Sequence, residues 1–265
     1  MAEDRELTRR RFLELVAAAG AAALAADCAP AAAKASGGAG ASGVPAARLM
    51  VRPAAPTGTI AAGISPLGLS AERDAFIYVP PGLDQAKAAP LLVLLHGAGG
   101  SSAWWKPETI AALADPAGII IVAPSSSGAT WDLRLDGYGP DVEVVDASMR
   151  FAFAHCRVDP ARLGLGGFSD GASYALSLGI ENGDLFGALL AFSPGGCATD
   201  ARRGKPRVYI THGKQDTVLP IASSSRLIVP TLRQLGYDVT YREFDGGHTV
   251  DAALAAEGMR WFAGP

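Results

Sequence analysis

The stretch "LGLGGFSDGASYAL", Leu163 to Leu176, decides how this chain folds. Apolar residues alternate with glycines up to Phe168, the period of a strand, and from Gly171 the spacing becomes that of a helix. Ser169 stands at the corner, with Gly167 and Gly171 two residues to either side. A sharp strand-to-helix turn needs such neighbours, because side chains there would collide. The turn exposes the serine hydroxyl above the sheet edge and aims the N–H groups of the following helix at whatever binds there. In a chain with 32 glycines a G-x-S-x-G match is weak by itself, and its place between a strand and a helix gives it weight.

Outward from this corner the two patterns alternate. Strands are predicted over Ala75–Val79, Leu91–Leu95, Gly118–Ala123, Leu163–Phe168, Phe186–Phe192, Val208–Thr211 and Val239–Phe244. Leu91–Leu95 is apolar throughout, as a strand covered on both faces should be. Helices are predicted over Trp104–Ala114, Asp141–His155, Gly171–Leu178, Ala222–Leu235 and Val250–Phe262, with Pro230 expected to kink or split the fourth. This alternation predicts an α/β fold: a doubly wound, mainly parallel sheet with helices on both faces. Right-handed crossovers then bring the C-terminal ends of the strands to one edge, where ligands bind. The short span between Phe192 and Val208 leaves no room for a helical cap domain there, so an open site is expected.

Composition sets the outer bounds. The chain has 265 residues, 49% hydrophobic and 18% charged, with net charge −3, so no electrostatic case for nucleic acid exists. Residues 1–35 read as a twin-arginine-type export signal: Thr8-Arg9-Arg10-Arg11-Phe12-Leu13, an Ala-rich apolar stretch from Leu15 to Ala26, and a small-x-small site at Ala33-Lys34-Ala35. The apolar stretch is too short for a membrane span. Cys28 raises a lipid anchor as an alternative, against which Asp27 stands, since a small residue is expected there. Residues 36–56 read as a flexible Ala/Gly/Pro linker, and the folded domain is expected over 57–265. The address implied is periplasmic or extracellular, in a bacterium. Two cysteines would remain after cleavage, Cys156 and Cys197, as a disulfide or as separate buried thiols.

A serine hydroxyl needs a base to act as a nucleophile. Of four histidines, only His248 lies in a late loop at the strand-end edge, just before the last helix. The base needs a carboxylate to hold its tautomer. Asp216 follows the Val208–Thr211 strand on the correct edge and is preferred to Asp245 and Asp251, which are merely nearer in sequence. Two backbone N–H groups should hold the developing oxyanion. One is that of Asp170. The other is assigned to Ala98, with Gly97 next, in the loop Gly97-Ala98-Gly99-Gly100. Gly97, Trp104 and Trp131 are candidates for a substrate pocket, against the alternative that the two aromatic rings only pack loops.

Four motifs together resemble the α/β-hydrolase superfamily: Leu94-Leu95-His96-Gly97-Ala98-Gly99-Gly100, Gly167-Phe168-Ser169-Asp170-Gly171, His212-Gly213-Lys214-Gln215-Asp216-Thr217-Val218-Leu219-Pro220 and Gly247-His248. The chain is most similar to the phospholipase/carboxylesterase group, and it also resembles secreted polyhydroxybutyrate depolymerase and feruloyl esterase-like proteins. The resemblance covers about Ala75 to Phe262. It implies Ser169 as nucleophile, Asp216 as acid and His248 as base. One departure stands out: members of that group often carry glutamine after the nucleophile, and this chain has Asp170.

The expected function is hydrolysis of carboxylic esters through an acyl-enzyme, on a small-molecule or polymer-end substrate, with no metal or organic cofactor. The rivals are an acyltransferase or peptidase on the same triad, and a non-catalytic exported binding protein on a hydrolase scaffold.

Overall fold

The computed structural model describes residues 47–134 and 138–264. The export signal, Cys28 and most of the linker expected from the sequence lie outside these residues. In chain order the elements are β1 (Gly63–Pro66), β2 (Phe76–Val79), β3 (Ala89–Leu95), α1 (Pro107–Ala114), β4 (Ile120–Ala123), α2 (Pro140–His155), β5 (Val158–Phe168), α3 (Asp170–Glu181), β6 (Ala188–Phe192), β7 (Arg207–Gly213), α4 (Ser225–Gln234), β8 (Val239–Phe244) and α5 (Ala252–Ala263). The strands form one sheet in the order β1-β2-β4-β3-β5-β6-β7-β8. Only the β1–β2 and β2–β4 pairs are antiparallel, and the rest are parallel.

Strand alternation sorts the core into two layers. Leu91, Val93 and Leu95 of β3 pack with Val142, Val145 and Met149 of α2, Leu176 of α3 and Ile228 of α4. Leu92 and Leu94 face the other way, toward Ile110 and Leu113 of α1 and Met259 and Phe262 of α5. The glycines of β5 now have a reason. Leu163 and Leu165 fill the first layer. A methyl group on Gly164, on the other face, would stand 2.7 Å from the Phe262 ring. Gly164 therefore lets α5 dock directly on the sheet.

Several expectations need correction. Strand β1 was not foreseen, being a four-residue edge strand that ends in a proline. The helix expected from Trp104 is a 3₁₀ turn at Ser102–Trp104, followed by α1. Lys106 is extended before Pro107, which takes the first helical position that suits proline. Pro230 does not split α4, which runs through it. Pro230 and Arg226 both lie on the exposed face, so water can reach the Arg226 carbonyl that loses its partner.

The folded domain also begins earlier than Thr57. Ala47 and Leu49 are buried in the core. Asn182, after α3, donates to the Ala47 carbonyl at 2.7 Å and accepts from the Leu49 N–H at 3.0 Å. Asp146 of α2 accepts from the Met50 and Val51 N–H groups at 2.7 and 2.8 Å. Composition hid this strap because buried side chains from the distant helices, not its own residues, satisfy its backbone.

Cys156 and Cys197 are separate, free and buried. Burial pushes their thiols up to about 11 and about 12. No helix among the described residues is long and apolar enough to cross a membrane.

Candidate active site

The turn from β5 into α3 leaves no space for side chains at its glycines. A methyl group on Gly171 would stand 2.3 Å from the His96 carbonyl oxygen, and one on Gly167 would stand 2.6 Å from the Gly171 backbone. Ser169 between them holds φ 56° and ψ −116°. A non-glycine residue there stores on the order of 1–3 kcal/mol of strain, which its surroundings must offset. The Ser169 N–H donates to the Phe192 carbonyl at 2.9 Å, and the Ser173 N–H donates to the Ser169 carbonyl at 3.1 Å. The backbone is thus fixed on both sides of the hydroxyl.

The loops after β7 and β8 bring two further residues to Ser169. His248 Nε2 lies 2.8 Å from Ser169 Oγ, and His248 Nδ1 lies 2.6 Å from Asp216 Oδ2. A carboxylate accepts, so the Nδ1 carries the proton and the Nε2 is free to take one from the serine. These loops are laced together by backbone. The Lys214 and Gln215 N–H groups each donate at 2.9 Å, to the Phe244 and Gly246 carbonyls. At Gly213 a methyl group would stand 2.3 Å from the Gly247 carbonyl oxygen. Ser193, with φ 51°, donates from its hydroxyl to the Thr249 carbonyl at 3.2 Å and steadies the residue after His248. The rejected acids have other partners: Asp245 pairs with Lys214 at 2.7 Å, and Asp251 caps α5 through the Leu254 N–H at 2.9 Å.

Sequence reasoning missed His212. It is fully buried behind Asp216, with Nε2 2.8 Å from the Leu219 carbonyl oxygen and 3.1 Å from Asp216 Oδ2. Both neighbours of Nε2 only accept, so Nε2 carries the proton and Nδ1 accepts from the Ser225 hydroxyl at 2.7 Å. Burial holds His212 below the usual histidine range. Asp216 Oδ2 therefore meets two imidazole N–H groups, while its Oδ1 accepts from the Val218 and Leu219 N–H groups at 2.9 and 2.8 Å. The motif His212-Gly213-Lys214-Gln215-Asp216 was visible, but nothing in it distinguished this histidine from one facing solvent.

The candidate oxyanion donors belong to the two turns that meet at Ser169. The Asp170 N–H sits in the first turn of α3, where N–H groups have no partner within the helix. Ala98 is exposed in a turn closed by the Gly100 N–H on the Gly97 carbonyl at 3.2 Å, with Gly99 at φ 74°. Gly97 lies against the site: a methyl group there would stand 3.4 Å from Ser169 Cβ.

The pocket candidates divide. Trp104 is 41% exposed and stacks on Phe168, with ring centroids 5.0 Å apart; Phe168 in turn lies 4.8 Å from the His248 ring. Trp131 does not line a pocket. It is fully buried between His96 and Tyr174, and its Nε1 donates to the His96 carbonyl at 2.9 Å. His96 is also fully buried: its Nδ1 donates to the Gly97 carbonyl at 2.7 Å and its Nε2 accepts from the Ser126 N–H at 3.0 Å. Burial lowers its basicity. The fourth histidine, His155, ends α2 and donates from Nδ1 to the Phe151 carbonyl at 2.8 Å.

No family model matches this chain. It is 33% identical to acyl-protein thioesterase 1 of Gibberella zeae over 102 residues, 34% of this chain and 43% of that protein. It is 30% identical to feruloyl esterase B of Thermothelomyces thermophilus over 141 residues, 49% of this chain and 48% of that protein. The chain thus spans about half the length of the curated relatives it matches. Among solved structures it resembles an S-formylglutathione hydrolase from Agrobacterium tumefaciens, with a TM-score of 0.59 and 17% identity over 76% of this chain and 93% of that one. The chain is an α/β-hydrolase-fold protein with sequence relatives among the thioesterases and feruloyl esterases.

Proposed function

We propose that this protein hydrolyses carboxylic esters through a covalent acyl-enzyme on Ser169. The observation that carries this reading is the unbroken line from Ser169 Oγ through His248 to Asp216, at 2.8 and 2.6 Å. His248 Nε2 takes the hydroxyl proton as Oγ attacks the ester carbonyl. The N–H groups of Asp170 and Ala98 stabilise the oxyanion. His248 then gives its proton to the leaving alcohol, and water repeats the sequence to release the acid. The Asp216 carboxylate, accepting from His248 Nδ1, stabilises the imidazolium.

Trp104, stacked on Phe168 beside His248, supports an aromatic or other flat apolar group on one side of the ester. The names of the sequence relatives point the same way for feruloyl esters, and admit thioesters as an alternative. The N-terminal Thr8–Leu13 motif supports export by the twin-arginine route. A panel of nitrophenyl, feruloyl, hydroxybutyrate, phospholipid and thioester substrates tests the function, run beside Ser169→Ala. Hydrolysis of at least one class, abolished in Ser169→Ala, is the expected result. Equal activity of the two proteins would defeat the proposal. Fractionation of cells expressing the full chain and an Arg9→Lys/Arg10→Lys variant tests export, with retention of the variant expected.

A further inference from the structure

We propose that the Asp170 carboxylate is a positioning residue that sets the two halves of the oxyanion hole in register, an inference that rests on the esterase reading above. The two donors sit on segments far apart in sequence, the turn after β3 and the start of α3. Pairing of β3 with β5, Leu95 opposite Gly167, brings the two segments together, but the turn that carries Ala98 lies beyond the paired residues. Its position must still be held, because an error of about 1 Å in such a site costs on the order of 100-fold in rate.

The link is the loop after β4. Asp170 is buried, and its Oδ2 accepts from the Thr130 hydroxyl and, at 3.0 Å, from the Trp131 N–H. The same loop grips the oxyanion turn at three points. The Trp131 indole N–H donates to the His96 carbonyl at 2.9 Å, the Ala129 carbonyl accepts from the Gly99 N–H at 2.6 Å, and the Ser126 N–H donates to His96 Nε2 at 3.0 Å. Arg73 adds a clamp from outside, reaching the Gly100 carbonyl at 2.5 Å and the Ser126 carbonyl at 2.9 Å. Residues 126–131 are therefore a splint between Ala98 and the nucleophile turn, and Asp170 is its anchor on the nucleophile side.

A carboxylate suits this task. It accepts two hydrogen bonds on one oxygen, and charge-assisted bonds hold geometry more firmly than neutral ones. Its charge stands at a helix N-terminus, where negative charge is favourable. An amide oxygen in its place could accept the same two bonds, but without the charge that strengthens them. The side chain is no second catalytic acid, since His248 Nδ1 is engaged by Asp216.

The test compares the wild type with Asp170→Asn, Thr130→Val and the double variant, for turnover and for affinity toward a trifluoromethyl ketone. That ketone forms a tetrahedral adduct whose oxyanion occupies the hole. Asp170→Asn should lower kcat about 30-fold with KM within about two-fold, and weaken the ketone by the same factor as kcat/KM. Thr130→Val should cost about three-fold in both, and the double variant no more than Asp170→Asn alone. A loss of kcat with ketone affinity unchanged would overturn the proposal. If Asp170→Asn fails to fold, Thr130→Val decides alone, and wild-type turnover and ketone affinity in it overturn the clamp. A wild type that neither hydrolyses esters nor binds the ketone overturns the clamp and the esterase reading together. Wild-type activity with unaffected variants overturns the clamp only.

Discussion

The turn that carries Ser169 and the loops that carry Asp216 and His248 are built by opposite means. Around Ser169 the structure is made of backbone against backbone, so tightly that Gly167 and Gly171 admit no methyl group. Around Asp216 it is also made of side chains: His212, His248 and two loop N–H groups converge on one carboxylate. The first arrangement tolerates nothing and should fail abruptly when altered. The second shares its hydrogen bonds among several donors and should degrade by steps.

The largest effect should come from the hydroxyl itself. Ser169→Ala should lower kcat/KM on the order of 10⁵-fold or more, as when a triad acts as a unit, and the melting temperature should not fall. Removing it also relieves a side chain in the positive-φ region only in part, so a large gain in stability is not expected either. Gly171→Ala sharpens the contrast, because it touches no catalytic atom. It should cost at least about 3 kcal/mol, a melting shift of roughly 6 °C or more, together with most of the activity. A soluble, fully active Gly171→Ala would show that the turn is looser than the 2.3 Å approach to the His96 carbonyl implies.

His212→Asn probes the graded region. With Asp216 still held by its other donors, kcat/KM should fall only about ten-fold, through loss of orientation of the acid. The same residue predicts a pH effect on stability. Burial lowers the basicity of both His96 and His212 below the ordinary value of 6.5. The unfolded chain then binds more protons, so their contribution is complete above about pH 6.5 and is lost as pH falls below it. Thermal melts from pH 7.5 to 5 should decline in the wild type and decline less in His212→Asn. A parallel decline would mean that His212 is not the group responsible.

The smallest effect should lie at the strap, far from both regions. Arg48 pairs with Asp184 at 2.5 Å and holds its carboxyl down at about 2. The pair is largely exposed on the Asp184 side, so Arg48→Ala should cost less than about 1 kcal/mol near neutral pH. Asp184 is depressed, so this contribution is present above about pH 3.8, the ordinary aspartate value, and fades as pH falls toward 2. Melts of the two proteins should converge over that range.

The same difference in construction explains what the sequence revealed. Where backbone approaches backbone only glycine fits, and such demands leave a motif; Gly167-Phe168-Ser169-Asp170-Gly171 could be found for that reason. The all-apolar β3 and the alternation of strands and helices were legible because burial on two faces has a period. His212 was not, because a histidine beside a carboxylate and one facing water are the same letter. Nor was the Asp170 carboxylate, whose partners Thr130 and Trp131 arrive from another loop. Trp131 stayed open between pocket and packing because an aromatic ring near the site can line it or underlie it, and only the buried contact with His96 decides. The early domain start at Ala47 was hidden because Asn182 and Asp146, not local sequence, hold the strap.

The proposed chemistry stands or falls with Ser169 as a nucleophile activated by His248. The most direct measurement is reaction of the purified protein with a fluorophosphonate, with the adduct located by peptide mass spectrometry. One phosphonyl group per chain is expected, on Ser169, formed at least about 1,000-fold more slowly in His248→Ala. A protein that takes no label, or takes it on another serine, would rule out Ser169 as the nucleophile, and labelling of Ser169 at the same rate without His248 would rule out His248 as its base.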